Sequence, residues 1–481
     1  HLSLRRQRQM CIRDRFLPFP IILKPVLSYR QEYKMDNQTI YALSTVFGKS
    51  GVAVIRISGD RAFQIIGQMT RLSPSGIKPR YAYFTDLLSV PEKQVLDKCL
   101  LLYFKAPHSF TGEDIVELQI HGSKAVISGV LSSLSRLEGF RMAEPGEYSK
   151  RAFYNGKMDL TQAEGLADLI DAETAEQQKY AMRQMEGGLK NLYESWREEL
   201  LNVMAHLEAY IDFPDEEIPE DTVFKLEDTV FKLKEAIKAH LSGDTIGERL
   251  REGFRVVIVG PPNAGKSSLL NAVVNREAAI VSDIAGTTRD AVDVHLDLKG
   301  YPVMFTDTAG LREVEDAIEK KGIEIAYHKI NEADLVICLF DASRDTVHIF
   351  DNLKKTISAK MLLVANKTDR LSAEKISSLR QEGCLTIAAK PRQGLEQLLQ
   401  AITERIENRF TSNSNLLITR ARYREALKET VEALETFTLR KEIELAAEDV
   451  RLAARALGKI TGRIEVDDIL DKIFGSFCIG K

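Results

Sequence analysis

The sequence predicts a multidomain protein with an α+β N-terminal domain, a helical domain, and an α/β P-loop domain inserted within the helical one. Three observations predict it. At 481 residues the chain is long enough for about three domains with sizeable cores. Apolar residues recur at helical spacing both before and after residues 251–408, where strand-like and helix-like runs alternate. That middle region opens with an apolar strand, Val256 to Val259, running into the Gly-rich turn Gly260-Pro-Pro-Asn-Ala-Gly-Lys-Ser-Ser268.

Along the chain, residues 1–34 come first and lack a core-forming period. Arg5 to Arg15 is Arg-rich, and Phe16 to Leu27 is broken by Pro18, Pro20 and Pro25. An acid-poor, Arg-rich start fits an organelle transit peptide. Gln9-Met-Cys-Ile-Arg-Asp-Arg15 looks instead like a translated sequencing adapter, with a start at Met35, so we expect a non-native leader over 1–34. The N-terminal domain, residues 35–155, is expected to be α+β from the β-rich runs Gly51–Ile57, Leu100–Phe104 and Ile115–Ile120 and the helical pattern Ala125–Leu137. The first part of the helical domain, 156–250, rests on the stripe Leu166, Ile170, Met185, Leu189, Leu192, Trp196, Leu200, Met204, Leu207 and Ile211, with breaks at Gly187-Gly188 and Pro214. That stripe reads as core. Residues 251–408 hold the inserted domain, and 409–481 return to helix from Leu416 to Leu457 and end in a Cys-containing tail. Insertion at a surface loop is tolerated because domain termini often lie close together.

Composition narrows the function. Lys and Arg number 66 against 70 for Asp and Glu, so the net charge of −4 supplies no global attraction for nucleic acid, and any RNA contact must be local. No apolar run approaches the roughly 20 residues of a membrane span, so a soluble protein without membrane attachment is expected. Of the cysteines Cys11, Cys99, Cys338, Cys384 and Cys478, none forms a C-x-x-C pair, and Cys99 and Cys338 lie in apolar strand-like runs. That argues against a zinc site or a disulfide framework and fits a reducing cytoplasm. Cys478 stands at C-a-a-X spacing, but Gly480 and Lys481 do not suit prenylation.

The motifs in the middle region carry the chemistry. In the Gly-rich turn, backbone N–H groups and a helix N-terminus face phosphates, Lys266 reaches the β/γ-phosphates and the Ser267 hydroxyl sits on Mg²⁺. Downstream come Asp283-Ile-Ala-Gly-Thr-Thr-Arg-Asp290, Asp307-Thr-Ala-Gly310 and Asn366-Lys-Thr-Asp369, each in the order a guanine-nucleotide switch requires. Asp307 takes the Mg²⁺-holding position at a strand end, and Gly310 can turn a backbone N–H to a γ-phosphate. Guanine is chosen over adenine because a carboxylate such as Asp369 accepts from two adjacent donors, N1–H and the 2-amino group, that adenine lacks. The nucleotide-binding set is Asn263, Ala264, Gly265, Lys266, Ser267, Ser268, Ser282, Asp283, Ile284, Ala285, Gly286, Thr287, Thr288, Asp307, Thr308, Ala309, Gly310, Asn366, Lys367, Thr368 and Asp369. Two departures stand out. Leu311 occupies the place where a water-orienting Gln is found in Ras-like enzymes, which leaves the acids Glu313, Glu315, Asp316 and Glu319 as candidates. Ala388-Ala-Lys390 stands where Ser-Ala-Lys is expected.

These motifs, with Ser109-Phe-Thr-Gly-Glu-Asp114, Pro145-Gly-Glu-Tyr-Ser-Lys-Arg-Ala-Phe153, Lys157-Met-Asp-Leu-Thr-Gln-Ala-Glu164, Ala167-Asp-Leu-Ile-Asp-Ala172, Ile211-Asp-Phe-Pro-Asp-Glu-Glu217 and the terminal Phe-Cys-Ile-Gly-Lys, make the chain resemble the MnmE (TrmE) family of tRNA modification GTPases from about Met35 to Lys481. The resemblance implies a P-loop GTPase domain and potassium-dependent GTP hydrolysis. It further implies work with the flavoprotein MnmG, which holds FAD, in a heterotetramer, adding an aminomethyl or carboxymethylaminomethyl group at C5 of the wobble uridine of certain tRNAs. It implies a tetrahydrofolate derivative, 5-formyl or 5,10-methylene, at Arg56, Glu117, Lys157 and Lys481, and potassium at Asn263, Ser282, Ile284 and Thr287. Thr288 would join Ser267 at Mg²⁺, Glu319 would orient water, and Cys478 would serve the modification chemistry. A homodimer through the N-terminal domain is implied as well.

Two rivals explain less. A ribosome-assembly or signalling GTPase accounts for the nucleotide motifs but not for the folate-like positions or the terminal Cys, and a P-loop ATPase conflicts with Asn366 and Asp369. For RNA, Arg420, Arg422, Arg424 and Lys428 form either a basic patch or a solvated helix face.

Overall fold

A computed structural model of the chain describes residues 38–212, 220–242, 246–275, 293–307, 328–410, 417–464, 470, 473–477 and 479–480. They fall into two compact units, one spanning His1–Glu164 and Thr461–Lys481, the other Gly165–Ile460.

The first unit is α+β. Its elements are β1 (Thr39–Leu43), β2 (Ser50–Ser58), α1 (Ile65–Met69), β3 (Ala82–Leu88), β4 (Val95–Phe104), β5 (Ile115–Gly122), α2 (Lys124–Ser135), β6 (Phe140–Met142) and α3 (Glu147–Tyr154). The strands form one sheet in the order β3-β4-β5-β2-β1-β6, antiparallel throughout except for the β1–β6 pair. Alternation along the strands decides the faces. Ile55, Ile57, Cys99, Leu101, Val116 and Leu118 point to one side, where α1 and α2 cover them through Ile65, Ile66, Met69, Ile127, Val130 and Leu134. In α2 the buried residues recur at three- and four-residue spacing, and Ser123 caps the helix by accepting from the Val126 N–H at 3.1 Å.

Among the described residues, the other sheet face is covered at one end only. There Tyr148 of α3 packs on Ile40, Ala42 and Ala143, with Phe110 beside them. At the far end the cross-strand neighbours Phe84 and Leu100 are 68% and 40% exposed. The C-terminal segment belongs to this unit. Ile479 bridges to Pro145, and the Gly480 carbonyl accepts from the Ser44 hydroxyl at 3.0 Å, just past the end of β1.

In the second unit, α4 (Leu160–Ile170) brings the chain in. It is followed by α5 (Ala175–Met185), α6 (Gly188–Asp212), α7 (Glu220–Ser242) and α8 (Ile246–Glu252). Thr174 and Gln177 form a capping box that starts α5. Gly187, with φ +93°, separates α5 from α6 where the sequence places a break. The expected break at Pro214 lies outside the described residues. Half of the apolar stripe is core: Leu189, Trp196, Leu200, Met204 and Leu207 are buried, whereas Leu166, Met185, Leu192 and Ile211 are half-buried and Ile170 is exposed.

Past the nucleotide motifs, α13 (Ala421–Glu435) and α14 (Ile443–Thr461) complete the helical part. Tyr423 of α13 meets Tyr193 of α6 at 6.1 Å between ring centroids, and its hydroxyl accepts from Gln184 Nε2 of α5 at 3.2 Å. Helical segments from both sides of residues 251–408 therefore share one core, which makes the α/β region an insertion. The basic cluster on α13 reads differently in three dimensions. Arg420 donates to Asp168 at 2.7 Å, Arg422 to the Ile460 carbonyl at 3.1 Å, and Arg424 to Glu248 at 3.3 Å. These guanidinium groups tie helices together, and neither the RNA patch nor the solvated face describes them; Lys428 alone of the four is exposed.

The inserted region holds β7 (Phe254–Val259), α9 (Lys266–Val274), β8 (Asp293–Leu298), β9 (Tyr301–Asp307), β10 (Leu335–Asp341), α10 (Asp351–Ile357), β11 (Met361–Asn366), α11 (Ala373–Gln381), β12 (Leu385–Thr386) and α12 (Leu395–Phe410). Its sheet runs β12-β11-β10-β7-β9-β8, parallel apart from the edge strand β8. Two apolar clusters cover its two faces. Central β10 is therefore a continuous apolar run, buried at all seven positions and ending in Asp341.

Candidate functional site

In a sheet of this kind, ligands bind beyond the carboxyl ends of the strands. At that edge β7 ends at Val259 and the chain turns through residues 260–265 into α9, whose first residue is Lys266. Two glycines are required by geometry. A Cβ on Gly260 would lie 2.0 Å from the Leu339 carbonyl oxygen, and one on Gly265, at φ +99°, would lie 2.3 Å from Asn366 Nδ2. Asn263 also adopts a left-handed φ of +63°, which asparagine tolerates better than most residues. The Lys266 ammonium donates to the Gly260 and Pro261 carbonyls at 2.8 and 3.1 Å, within the same turn.

The Asn366–Asp369 motif leaves the neighbouring strand end and is tied to this turn. Asn366 is 2% exposed. Its Nδ2 donates to the Ala264 carbonyl at 2.8 Å, and its Oδ1 accepts from the Ala389 N–H at 3.1 Å. Because residue 389 contributes through its backbone, Ala388-Ala-Lys390 closes the site without a serine. The Thr368 hydroxyl donates to the Ile387 carbonyl at 2.9 Å and holds the same loop. Asp369 is exposed and lines, with Asn263, Lys266, Ser267, Lys367 and Lys390, a cavity of about 500 Å³. That volume lies in the range of small-molecule sites, roughly 300–1,000 Å³. Ser267, exposed in the first turn of α9, lines the same cavity.

Asp341 was not among the sequence candidates. It ends β10 beside Asn366 in register, and its Oδ2 accepts from the Lys367 ammonium at 2.7 Å. Lys367 also donates to the Asn263 carbonyl at 2.8 Å. Burial pushes the Asp341 carboxyl up, but hydrogen bonds from Lys367 and Ser343 outweigh it and hold the pKa at about 2. An acid closing an apolar strand at the ligand edge was the signal available in the sequence.

Of the other expected site residues, Asp307 ends β9, its backbone in register with Ile258 of β7. Ser282, Asp283, Ile284, Ala285, Gly286, Thr287, Thr288, Thr308, Ala309, Gly310, Leu311 and Glu319 lie outside the described residues, as do Cys478, Lys481 and the expected leader.

A second constellation sits on the partly covered sheet face of the first unit. Arg56 and Glu117 are cross-strand partners, joined at 2.8 Å between Nε and Oε1. The Arg56 guanidinium carbon lies 5.7 Å from the Phe110 ring centroid and 5.8 Å from that of Tyr148. The loop bearing Ser109–Asp114 is fixed from below. Ser58 Oγ meets Thr111 Oγ1 at 2.7 Å and donates to Glu113 at 2.9 Å. Arg151, 4% exposed, donates to Glu113 at 3.0 Å and to Glu147 at 3.2 Å. Lys157 is exposed and its Cε would stand 3.2 Å from a Cβ on Gly112, so it borders the same loop.

A family model described as the GTP-binding protein TrmE N-terminus matches residues 39–157, and one described as the MnmE helical domain matches residues 160–478. A protein of Paramagnetospirillum magneticum named tRNA modification GTPase MnmE is 46% identical, covering 92% of this chain and 100% of that protein. One of the same name from Parvibaculum lavamentivorans is 48% identical with the same coverage, and one from Rickettsia bellii is 44% identical. Among solved structures, the G domain of the T. maritima FeoB iron transporter is 25% identical, covering 32% of this chain and 98% of that one, with a TM-score of 0.24.

Proposed function

The chain belongs to the MnmE family of tRNA modification GTPases, and on that premise we propose that it hydrolyses GTP to drive, with an MnmG-type flavoprotein, the addition of an aminomethyl or carboxymethylaminomethyl group at C5 of the wobble uridine of certain tRNAs. The observation that carries the nucleotide half is the convergence of the Gly-rich turn, Asn366 and Asp369 on one cavity at the carboxyl edge of the parallel sheet. Backbone amides of residues 263–268 and the helix N-terminus bind the phosphates, Lys266 moves onto them from its carbonyl partners, and Asp369 accepts from the guanine edge. Ser267 and Thr288 would hold Mg²⁺, supported by Asp307, and the ion would neutralise phosphate charge. Asn263, Ser282, Ile284 and Thr287 would hold potassium, whose charge would stand in for an arginine finger. Glu319 orients water, since Leu311 cannot.

For the modification half, the Arg56–Glu117 pair between aromatic rings suits a pterin, whose donor edge matches a carboxylate, and Lys157 and Lys481 suit its anionic tail. The tetrahydrofolate derivative supplies the one-carbon unit. Cys478 follows Phe477 and precedes Ile479 in sequence, Ile479 bridges to Pro145 ahead of α3, and we assign Cys478 to that chemistry. The exposed Phe84 and Leu100 favour a homodimer through this sheet, and a tRNA substrate with the buried free thiols Cys99, Cys338 and Cys384 fits cytoplasmic residence. A plain GTPase switch leaves the Arg56–Glu117 constellation without a purpose.

The test of the nucleotide site is turnover of GTP and XTP by wild type and Asp369→Asn, each in potassium and in sodium. We expect the variant to lose GTP and accept XTP, whose 2-oxo group accepts from the amide, and the wild type to turn over faster in potassium. Equal GTP use by both proteins would overturn the guanine assignment, and equal rates in both salts would remove potassium.

A further inference from the structure

We propose that Asp341 is a positioning residue for nucleotide binding: it fixes Lys367, and through Lys367 the phosphate-binding turn, so that the base-binding loop and the phosphate-binding loop are held as one preformed site. The proposal rests on the guanine-nucleotide reading above and deepens it.

Three strand ends meet here. Asp341 closes β10, Asn366 closes the adjacent β11, and Asn263 lies in the turn after β7 on the other side of β10. Lys367 connects all three, donating to Asp341 Oδ2 at 2.7 Å and to the Asn263 carbonyl at 2.8 Å. Its backbone has a left-handed φ of +62°, uncommon for a long side chain and retained where surrounding structure over-determines it. Asp341 is 3% exposed and is itself clamped. Ser343 donates to its Oδ1 from both the hydroxyl, at 2.6 Å, and the backbone N–H, at 3.1 Å. The carboxylate thus has one oxygen for the turn that follows β10 and one for Lys367.

The consequence concerns order before binding. A lysine carries much rotamer freedom, and a buried carboxylate that holds its ammonium removes most of that cost in advance. Lys367 lines the cavity, whereas Asp341 does not, so Asp341 acts only through its partner. It stands on the base side of the site, distant in role from the γ-phosphate, and its loss should weaken GTP and GDP alike.

The experiment uses the full chain and N-methylanthraniloyl-GDP. Asp341→Asn is expected to raise the dissociation rate about tenfold and to raise KM for GTP by a similar factor, with kcat moving less than threefold. Because Asp341 works through Lys367, adding it to Lys367→Ala should cost nothing further, so the double variant should match Lys367→Ala. Ser343→Ala keeps the carboxylate and removes one of its clamps, and should raise KM two- to threefold; it carries the test if the Asn variant does not fold. Additive losses in the double variant, a fall in kcat larger than the rise in KM, or an unchanged KM in both Asp341→Asn and Ser343→Ala would overturn the proposal. Failure of the wild type to bind the labelled GDP would instead overturn the guanine reading on which it rests.

Discussion

At the scale of single residues, His240 shows how a side chain with no catalytic duty can set a pH limit. It lies among aromatic side chains of the helical core, with the Trp196 ring at 5.6 Å and the Tyr193 hydroxyl 3.2 Å from its Nε2. Burial first, and the Arg424 charge second, push its pKa down to about 4. As pH falls below about 6.5 the unfolded chain takes up a proton that the folded protein refuses. Stability is therefore complete above the unfolded pKa and is lost towards pH 4, by up to about 1.4 kcal/mol per pH unit. We expect the melting-temperature difference between wild type and His240→Gln to shift by several degrees against the wild type from pH 7 to pH 5. A difference that stays constant with pH would contradict this. Residues also mark the limits of sequence reading. Lys266, Asn366 and Asp369 were legible because their spacing is dictated by the ligand, whereas Asp341 acts through Lys367, 26 positions away, and no local pattern announces the pair. The arginines of α13 were misread for a related reason: their partners Asp168 and Glu248 lie far off in sequence.

At the scale of elements, periodicity carried most of the information. Strands β2 and β5 and helices α2 and α6 follow the runs that the sequence marks, since each buries one face and repeats accordingly. The short strands β1 and β6 were not distinguished, because Thr39–Leu43 and Phe140–Met142 hold too few residues to show a period, and the seven-residue β3 was not distinguished either. Strand pairing also places Arg56 opposite Glu117, a juxtaposition that only register reveals. The same register aligns Phe84 with Leu100 on a sheet face that α3 leaves uncovered at its β3–β4 end. Exposed apolar side chains grouped on one face mark a contact surface, which we assign to the proposed homodimer. Phe84→Asp should convert the dimer to a monomer in size-exclusion chromatography with light scattering. Because Phe84 is 68% exposed within one subunit, the variant should keep its fold, and any fall in melting temperature should be no larger than the lost association accounts for. A variant that remains dimeric at micromolar concentration would move the dimer interface elsewhere.

For the whole molecule, the two halves of the proposed function rest on different units. The nucleotide cavity and the helices that embrace its domain lie within Gly165–Ile460, while the Arg56–Glu117 constellation and Ile479–Gly480 lie in the other unit. Sequence motifs distinguished these halves, and the family resemblance already grouped the terminal Lys481 with Arg56, Glu117 and Lys157; periodicity and spacing alone did not, because that association depends on contacts such as Ser44 to Gly480, 436 residues apart. The central claim is that GTP hydrolysis in one unit serves RNA chemistry that needs the other. Mass spectrometry of tRNA wobble uridines from a deletion strain carrying either the wild-type chain or Arg56→Ala tests it most directly, with GTP turnover of both purified proteins measured in parallel. The account predicts C5-modified uridine with the wild type, and unmodified uridine with Arg56→Ala despite GTP turnover within about twofold of normal. Full modification by Arg56→Ala, or no modification by the wild type, would contradict it.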